Sequence, residues 1–152
     1  IPKILNSYTQ QIMIDQLEGD DIIYLCSQKI KVNNKIYIIS SDHDLLQILD
    51  NKNDIYLYTA NLVCYNQKSK GNCDLNNFIK AMLGDSSDNI KKILPRLGEK
   101  TALKLYDNKK ELLNKFLENP DSFKNYCLNR LLVDFKYIPY ELSNYFNNNI
   151  KL

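Results

Sequence analysis

The stretch Lys35–Asp44 reads Lys-Ile-Tyr-Ile-Ile-Ser-Ser-Asp-His-Asp. Ile36, Tyr37, Ile38 and Ile39 form a β-branched and aromatic run with no polar alternation. Such a run predicts a strand buried on both faces, as in a parallel sheet covered by helices. Ser40 and Ser41 end it, and Asp42 and Asp44 follow one residue apart. In open α/β sheets, ligands bind just outside the carboxyl ends of the strands. Two acids at that edge make half of a metal site. The simpler alternative is a loop in which Asp42 caps a helix starting near Asp44.

Upstream, residues Ile4–Ile12 read as a helix end and Ile12–Ile14 as a short strand. Glu18, Asp20 and Asp21 precede Ile22, Ile23, Leu25, Cys26 and Ile30, an apolar stripe at helical spacing. Acids suit the positive end of that helix, and capping accounts easily for one of them. It accounts less well for three. Downstream of the opening stretch, Leu45, Leu46, Ile48 and Leu49 predict a short helix, and Ile55–Thr59 a strand. Leu62–Tyr65 is its candidate hairpin partner. Alternating helices and strands give the βαβ signature of a mainly parallel sheet.

A polar link at Lys68–Asn72 divides the chain into an α/β part, residues 1–70, and a helical part, residues 71–152. Asp74 is read as the cap of a helix bearing Leu75, Phe78, Ile79, Met82 and Leu83, which Gly84 ends. Asp85 and Asp88 then sit past a helix C-terminus, where the dipole disfavours acids. Asp88 could cap the next turn; a bound cation would remove the conflict altogether. Leu94-Pro-Arg-Leu-Gly98 is a tight turn opening the helix Glu99–Leu105. Turn amides at a helix start favour anions, and Lys91, Lys92, Arg96, Lys100 and Lys104 add positive charge. A bare lysine run would be a solvated face; the turn and the Thr101 hydroxyl favour a phosphate site. Asn108 and Glu111 have capping-box spacing, and Pro120 stands at a first helical position. The helix after it is given the apolar face Phe123, Tyr126, Cys127 and Leu131. Pro139 opens a last helix with Leu142, Tyr145 and Phe146. His43, the only histidine, is read as turned away from its flanking acids.

Composition narrows the class. The 152 residues are 44% hydrophobic, enough for a real core. A formal net charge of +2 leaves any nucleic-acid affinity to local clustering. The 4 cysteines lack C-x-x-C spacing, so neither a zinc site nor a disulfide framework is expected, and reduced cytoplasmic thiols are. No run is apolar enough to span a membrane. The first residue is Ile1, which reads as a segment of something longer. Gathering Glu18, Asp20, Asp21, Asp42, Asp44, Asp85 and Asp88 without cations would be costly, because like charges raise each other's pKa. Oxygen-only ligands suit Mg²⁺ or Mn²⁺. Two ions about 4 Å apart can activate water against a phosphodiester.

Several of these stretches together resemble the 5′-nuclease, or flap endonuclease, superfamily. Glu18-Gly-Asp-Asp21 resembles its E-A-D-D motif, with Gly19 for the usual Ala. Ser41-Asp-His-Asp-Leu-Leu-Gln47 resembles D-x-D-L-x-Q, and Gly84-Asp-Ser-Ser-Asp-Asn89 resembles G-D-x-x-D-N. Leu94–Ala102 resembles the helix–three-turn–helix that grips duplex DNA. The tail Asn129–Pro139 looks closest to the phage ribonuclease H branch. The resemblance runs from about Ile12 to the C-terminus and implies a PIN-like α/β core followed by a helical DNA-binding region. The family's first Asp-bearing strand and basic arch have no counterpart in these residues.

The resemblance implies a metal-dependent 5′-3′ exonuclease or flap endonuclease that removes RNA primers or 5′ flaps in DNA replication. Glu18, Asp20 and Asp42 would serve one ion, with Asp21 nearby; Asp44, Asp85 and Asp88 would serve the other. Lys92, Arg96, Gly98, Lys100, Thr101 and Lys104 would meet DNA, and a K⁺ ion would sit in the hairpin. The expected partners are duplex, forked or flapped DNA, RNA–DNA hybrid and replication proteins, for a cytoplasmic monomer. The chain alone is expected to cleave poorly unless the missing segment is supplied, in cis or as a second chain. A PIN-like ribonuclease and a non-catalytic duplex-DNA-binding fragment are the competing readings.

Overall fold

A computed structural model describes residues 10–152. Helix α1 spans Gly19–Ile30 and strand β1 spans Ile36–Ile39. A 3₁₀ helix over His43–Ile48 then leads to β2, Ile55–Tyr58. The strands pair in parallel, with Ile36 opposite Ile55 and Ile39 opposite Tyr58. The α/β expectation therefore holds, with the crossover made by a 3₁₀ helix where a short helix over Leu45–Leu49 was expected. Asp42 caps it, accepting the Asp44 N–H at 2.8 Å.

Strand β1 is not buried on both faces. Ile36 and Ile38 are buried, whereas Tyr37 and Ile39 are exposed. The buried pair packs with Leu45, Ile48, Leu49, Ile55, Leu57 and Phe135. On the other face Tyr37 stacks on Tyr56 at 5.3 Å between ring centroids. Among the described residues, no helix covers that face, so its aromatics cover one another.

Other expectations are corrected at the edges. Residues Ile12–Ile14 form no strand, and residues 10–12 are not helical; the rest of the helix end read at Ile4–Ile12 lies outside the described residues. Leu62–Tyr65 does not form a hairpin strand. It contributes an isolated antiparallel bridge between Tyr58 and Cys64. Asn66 completes the edge with its side chain, accepting the Leu57 N–H at 2.8 Å and donating to the Ile55 carbonyl at 2.7 Å. A side-chain amide here does the work of another strand.

The helical part is built on α2, Cys73–Leu83. Its cap is Asn72, which accepts the Leu75 N–H at 3.0 Å; Asp74 lies in the first turn and pairs with Lys136 at 2.6 Å. Helices α3 (Glu99–Asp107), α4 (Lys109–Glu118), α5 (Pro120–Val133) and α6 (Tyr140–Asn149) follow. A second core joins Phe78 and Met82 of α2 to Ile93, Leu97, Ala102 and Leu105. Pro120 and the Asn108–Glu111 cap stand where the sequence puts them.

Of the face predicted for helix α5, only Tyr126 packs against the second core. Phe123, Cys127 and Leu131 are exposed, while Ser122, Asn129 and Val133 are buried. The buried face is polar because it must satisfy backbone: Asn129 Nδ2 donates to the carbonyls of Ala81 and Lys91. Beyond α5, Phe135 stacks on Tyr24 at 5.2 Å, returning the chain to the first core. Of the last helix, Phe146 is fully buried and Tyr145 is exposed.

Candidate functional site

The three acidic clusters meet at the carboxyl end of β1. Glu18 and Asp20 stand at the start of α1, where Glu18 is the N-cap residue. Asp42 and Asp44 stand in the loop that β1 feeds. Asp85 and Asp88 stand in the turn after α2. All six line one cleft of about 450 Å³, together with Ser40 and Ser87. Asp21 does not line it. Its carboxylate accepts the Glu18 N–H at 3.1 Å and faces a neighbouring cleft that Leu131, Leu132 and Tyr137 also line.

The turn after α2 is shaped by Gly84, whose φ of 67° with ψ of −170° is a combination essentially confined to glycine. A Cβ there would lie 2.3 Å from the carbonyl of Ile90. Asp85 and Ile90 exchange both backbone hydrogen bonds, at 2.9 and 2.7 Å, closing a tight loop. Within it, Asp85 accepts the Ser87 N–H at 2.9 Å and also the Ser87 hydroxyl. Asp88 therefore caps nothing, and the capping bond belongs to Asp85. Asp44, Asp85 and Asp88 each offer a carboxylate oxygen within 4.8 Å of the others. An all-oxygen set of this spacing fits a hard divalent cation.

The electrostatics agree with crowding. Burial raises Asp20 above the ordinary carboxylate value, and the charges of Asp21 and Asp42 add to this against its backbone hydrogen bonds. Burial likewise raises Asp44, although Lys80 opposes it. Asp85 is lowered, first by its bond from Ser87. Lys80 was not anticipated from the sequence. It lies one helical turn before Gly84, and its ammonium is bonded to Asp44 and 3.3 Å from Asp85. His43 faces away from the acids, tilted against Tyr65 at 5.4 Å.

The basic turn sits on the same helix. Ile93 and Leu97 are buried anchors, and Ile93 N–H donates to the Met82 carbonyl of α2 at 3.2 Å. Between them Arg96 takes a left-handed φ of 58°. Lys92 is spent internally: its ammonium donates to the Leu97 carbonyl at 3.1 Å, stapling the turn. Gly98 is the N-cap of α3, with no side chain capping the first-turn amides. Arg96, Gly98, Lys100, Thr101 and Lys104 are exposed.

The fold is that of the phage T5 nucleases. A T5 5′-exonuclease mutant superposes with a TM-score of 0.66 over 91% of this chain and 66% of its own, at 17% identity. A T5 flap endonuclease solved as a pseudo-enzyme–product complex with DNA and metal ions does so equally, over 60% of its length at 16% identity. A 5′-3′ exonuclease of Mycoplasmopsis pulmonis is 36% identical over 108 residues, 62% of this chain and 33% of the relative. A 5′-3′ exonuclease of Buchnera aphidicola is 31% identical over 119 residues, 75% of this chain and 39% of the relative. The chain thus spans about a third of the length of these curated relatives. No family model matches it. Over the stretch it shares with them, the chain is thus similar in sequence to 5′-3′ exonucleases and has the fold of the T5 enzymes.

Proposed function

We propose that this chain is the part of a 5′ nuclease that hydrolyses phosphodiesters with divalent ions and holds the duplex beside the cut. The carrying observation is that acids from three separate chain segments line one cleft. Their mutual repulsion has no structural use, and a divalent cation would turn it into binding energy. Glu18, Asp20 and Asp42 would hold one ion; Asp44, Asp85 and Asp88 would hold the other, with Asp21 supporting Glu18. Mg²⁺ or Mn²⁺ would supply a nucleophilic water and charge stabilisation at the leaving oxygen.

The basic turn is the proposed duplex grip. Arg96, Lys100, Thr101 and Lys104 would meet phosphates, with Lys92 bracing the turn from within. Gly98 supports this reading. A Cβ there would meet nothing within 4 Å, and its φ of −115° suits any residue. Among the described residues neither packing nor conformation demands glycine, whereas a closely approaching backbone would. A K⁺ ion on the hairpin carbonyls, a monomeric state and a cytoplasmic place in primer or flap removal belong to the same reading. In the described residues no helix is long and apolar enough to cross a membrane.

The test is cleavage of a 5′-labelled RNA–DNA hybrid and of a DNA flap by the full-length protein. Activity should require Mg²⁺ or Mn²⁺ and vanish in Asp85→Asn. Metal-independent cleavage, or an active Asp85→Asn, would overturn the reading; the ratio of the two substrates decides primer against flap.

A further inference from the structure

The acidic cleft contains a cation of its own. Lys80, in the last turn of α2, reaches between acids of two different elements, Asp44 after β1 and Asp85 after α2. Its side chain is only 13% exposed. Burying an ammonium is costly unless it is paired, and both carboxylates pair it. They are also two of the three acids whose oxygens converge tightly enough to share an ion. The ammonium therefore contacts the groups that an incoming divalent ion would need. Three carboxylates and one ammonium leave a formal charge of −3 + 1 = −2, which one divalent ion cancels.

We propose that Lys80 is a positioning residue whose ammonium serves as resident counterion of this site. In the ion-free protein it holds Asp44 and Asp85 together. When a divalent ion arrives, the ammonium competes with it for Asp44 and so sets its affinity. The contact with the acids is independent of the nuclease reading; only the competition rests on it. The sign of the effect separates this role from a plainly structural one. A lysine that merely supported the site would, when lost, leave ion binding unchanged or weaker. A competing cation, when lost, makes ion binding tighter while the ion-free protein becomes less stable.

The experiment uses the full-length protein, Lys80→Met and Lys80→Arg, with Mn²⁺ as the probe. Thermal melting in EDTA and in Mn²⁺ is measured beside calorimetric titration. Lys80→Met should melt lower than wild type in EDTA and recover in Mn²⁺. It should bind Mn²⁺ about tenfold more tightly, as expected for removing a nearby like charge at a half-buried site. Lys80→Arg, which keeps the charge, should stay near wild type in both measurements. Mn²⁺ binding by Lys80→Met no tighter than wild type, or an unchanged melt in EDTA, would overturn the proposal. If Lys80→Met does not fold, Lys80→Gln is judged by the same two readouts in its place. A wild-type protein that binds no Mn²⁺ would overturn the nuclease reading and the competition with it; equal behaviour of wild type and variants would overturn the role of Lys80 alone.

Discussion

Asn129 donates from Nδ2 to the carbonyl of Lys91 at 2.9 Å, and the same nitrogen reaches the carbonyl of Ala81 at 2.8 Å. One buried amide thus ties α5 both to the end of α2 and to the segment that joins the acidic turn to the basic turn. Carbonyls stranded in this position would each carry a desolvation cost. Asn129→Leu should therefore destabilise the fold by about 3 kcal/mol, read from the urea midpoint at constant m. Because Lys91 lies between the two turns, the variant should also loosen both, seen as faster amide exchange at Asp85 and Leu97. A urea midpoint like that of the wild type would show that water replaces the asparagine without loss.

At the basic turn, the exposed positions of Arg96 and Lys100 make their truncation harmless to folding. The double variant Arg96→Ala, Lys100→Ala should melt within about 0.5 kcal/mol of wild type. Its duplex binding should nevertheless weaken, and the slope of log affinity against log salt should fall by about 2, roughly 0.9 for each lost phosphate contact. Lys92→Ala should behave differently, because its ammonium staples Leu97. It should lose stability along with affinity. An unchanged salt slope in the double variant would make the cluster a solvated face.

Two glycines separate required from permitted. Gly84 has φ 67° and a carbonyl 2.3 Å from where a Cβ would stand, so Gly84→Ala must displace the Asp85–Ile90 turn. It should cost at least about 2 kcal/mol and disturb the acids that follow. Gly19 has nothing within 4 Å of such an atom and opens α1. Gly19→Ala should hold or raise stability, by up to about 1 kcal/mol. Comparable losses in the two variants would contradict this distinction.

These contrasts show what the sequence could carry. The motif acids were legible because short-range rules do not explain all of them: capping uses Glu18, Asp21 and Asp42, yet leaves Asp44 and Asp88 without a local purpose. The basic turn was legible from Pro95 and Gly98 flanking a helix start. The exposed face of β1 was not, because the run Ile36–Ile39 says how apolar a strand is and not what covers it. The face of α5 was misread for the opposite reason: Ser122 and Asn129 look like surface residues until the carbonyls they satisfy are in place. Lys80 was hidden by its helix. Apolar spacing assigns α2 its buried stripe, and a lysine beside that stripe looks solvated until Asp44 arrives from another element.

Cysteine chemistry provides a check on packing that is independent of any activity. Cys73 opens α2, and its thiol is pushed up to about 11, first by burial and then by the charges of Asp50 and Asp74. Burial also raises Cys26. Cys127 is exposed on α5. The thiolate is the species that alkylates, so at pH 8 only about one Cys73 in a thousand would be reactive at any instant. Iodoacetamide at pH 8, followed by peptide mass spectrometry, should label Cys127 well ahead of Cys73 and Cys26. Raising the pH should speed Cys73 roughly tenfold per unit until about 11, while the fold holds. Asp74→Asn removes one of the charges that raise the thiol, so it should quicken Cys73 modestly, with burial still holding it well behind Cys127. Equal labelling of Cys73 and Cys127 in the native protein at pH 8 would mean that the α2 N-terminus is open to solvent, and the placement of Asp50, Asp74 and Lys136 around it would be wrong.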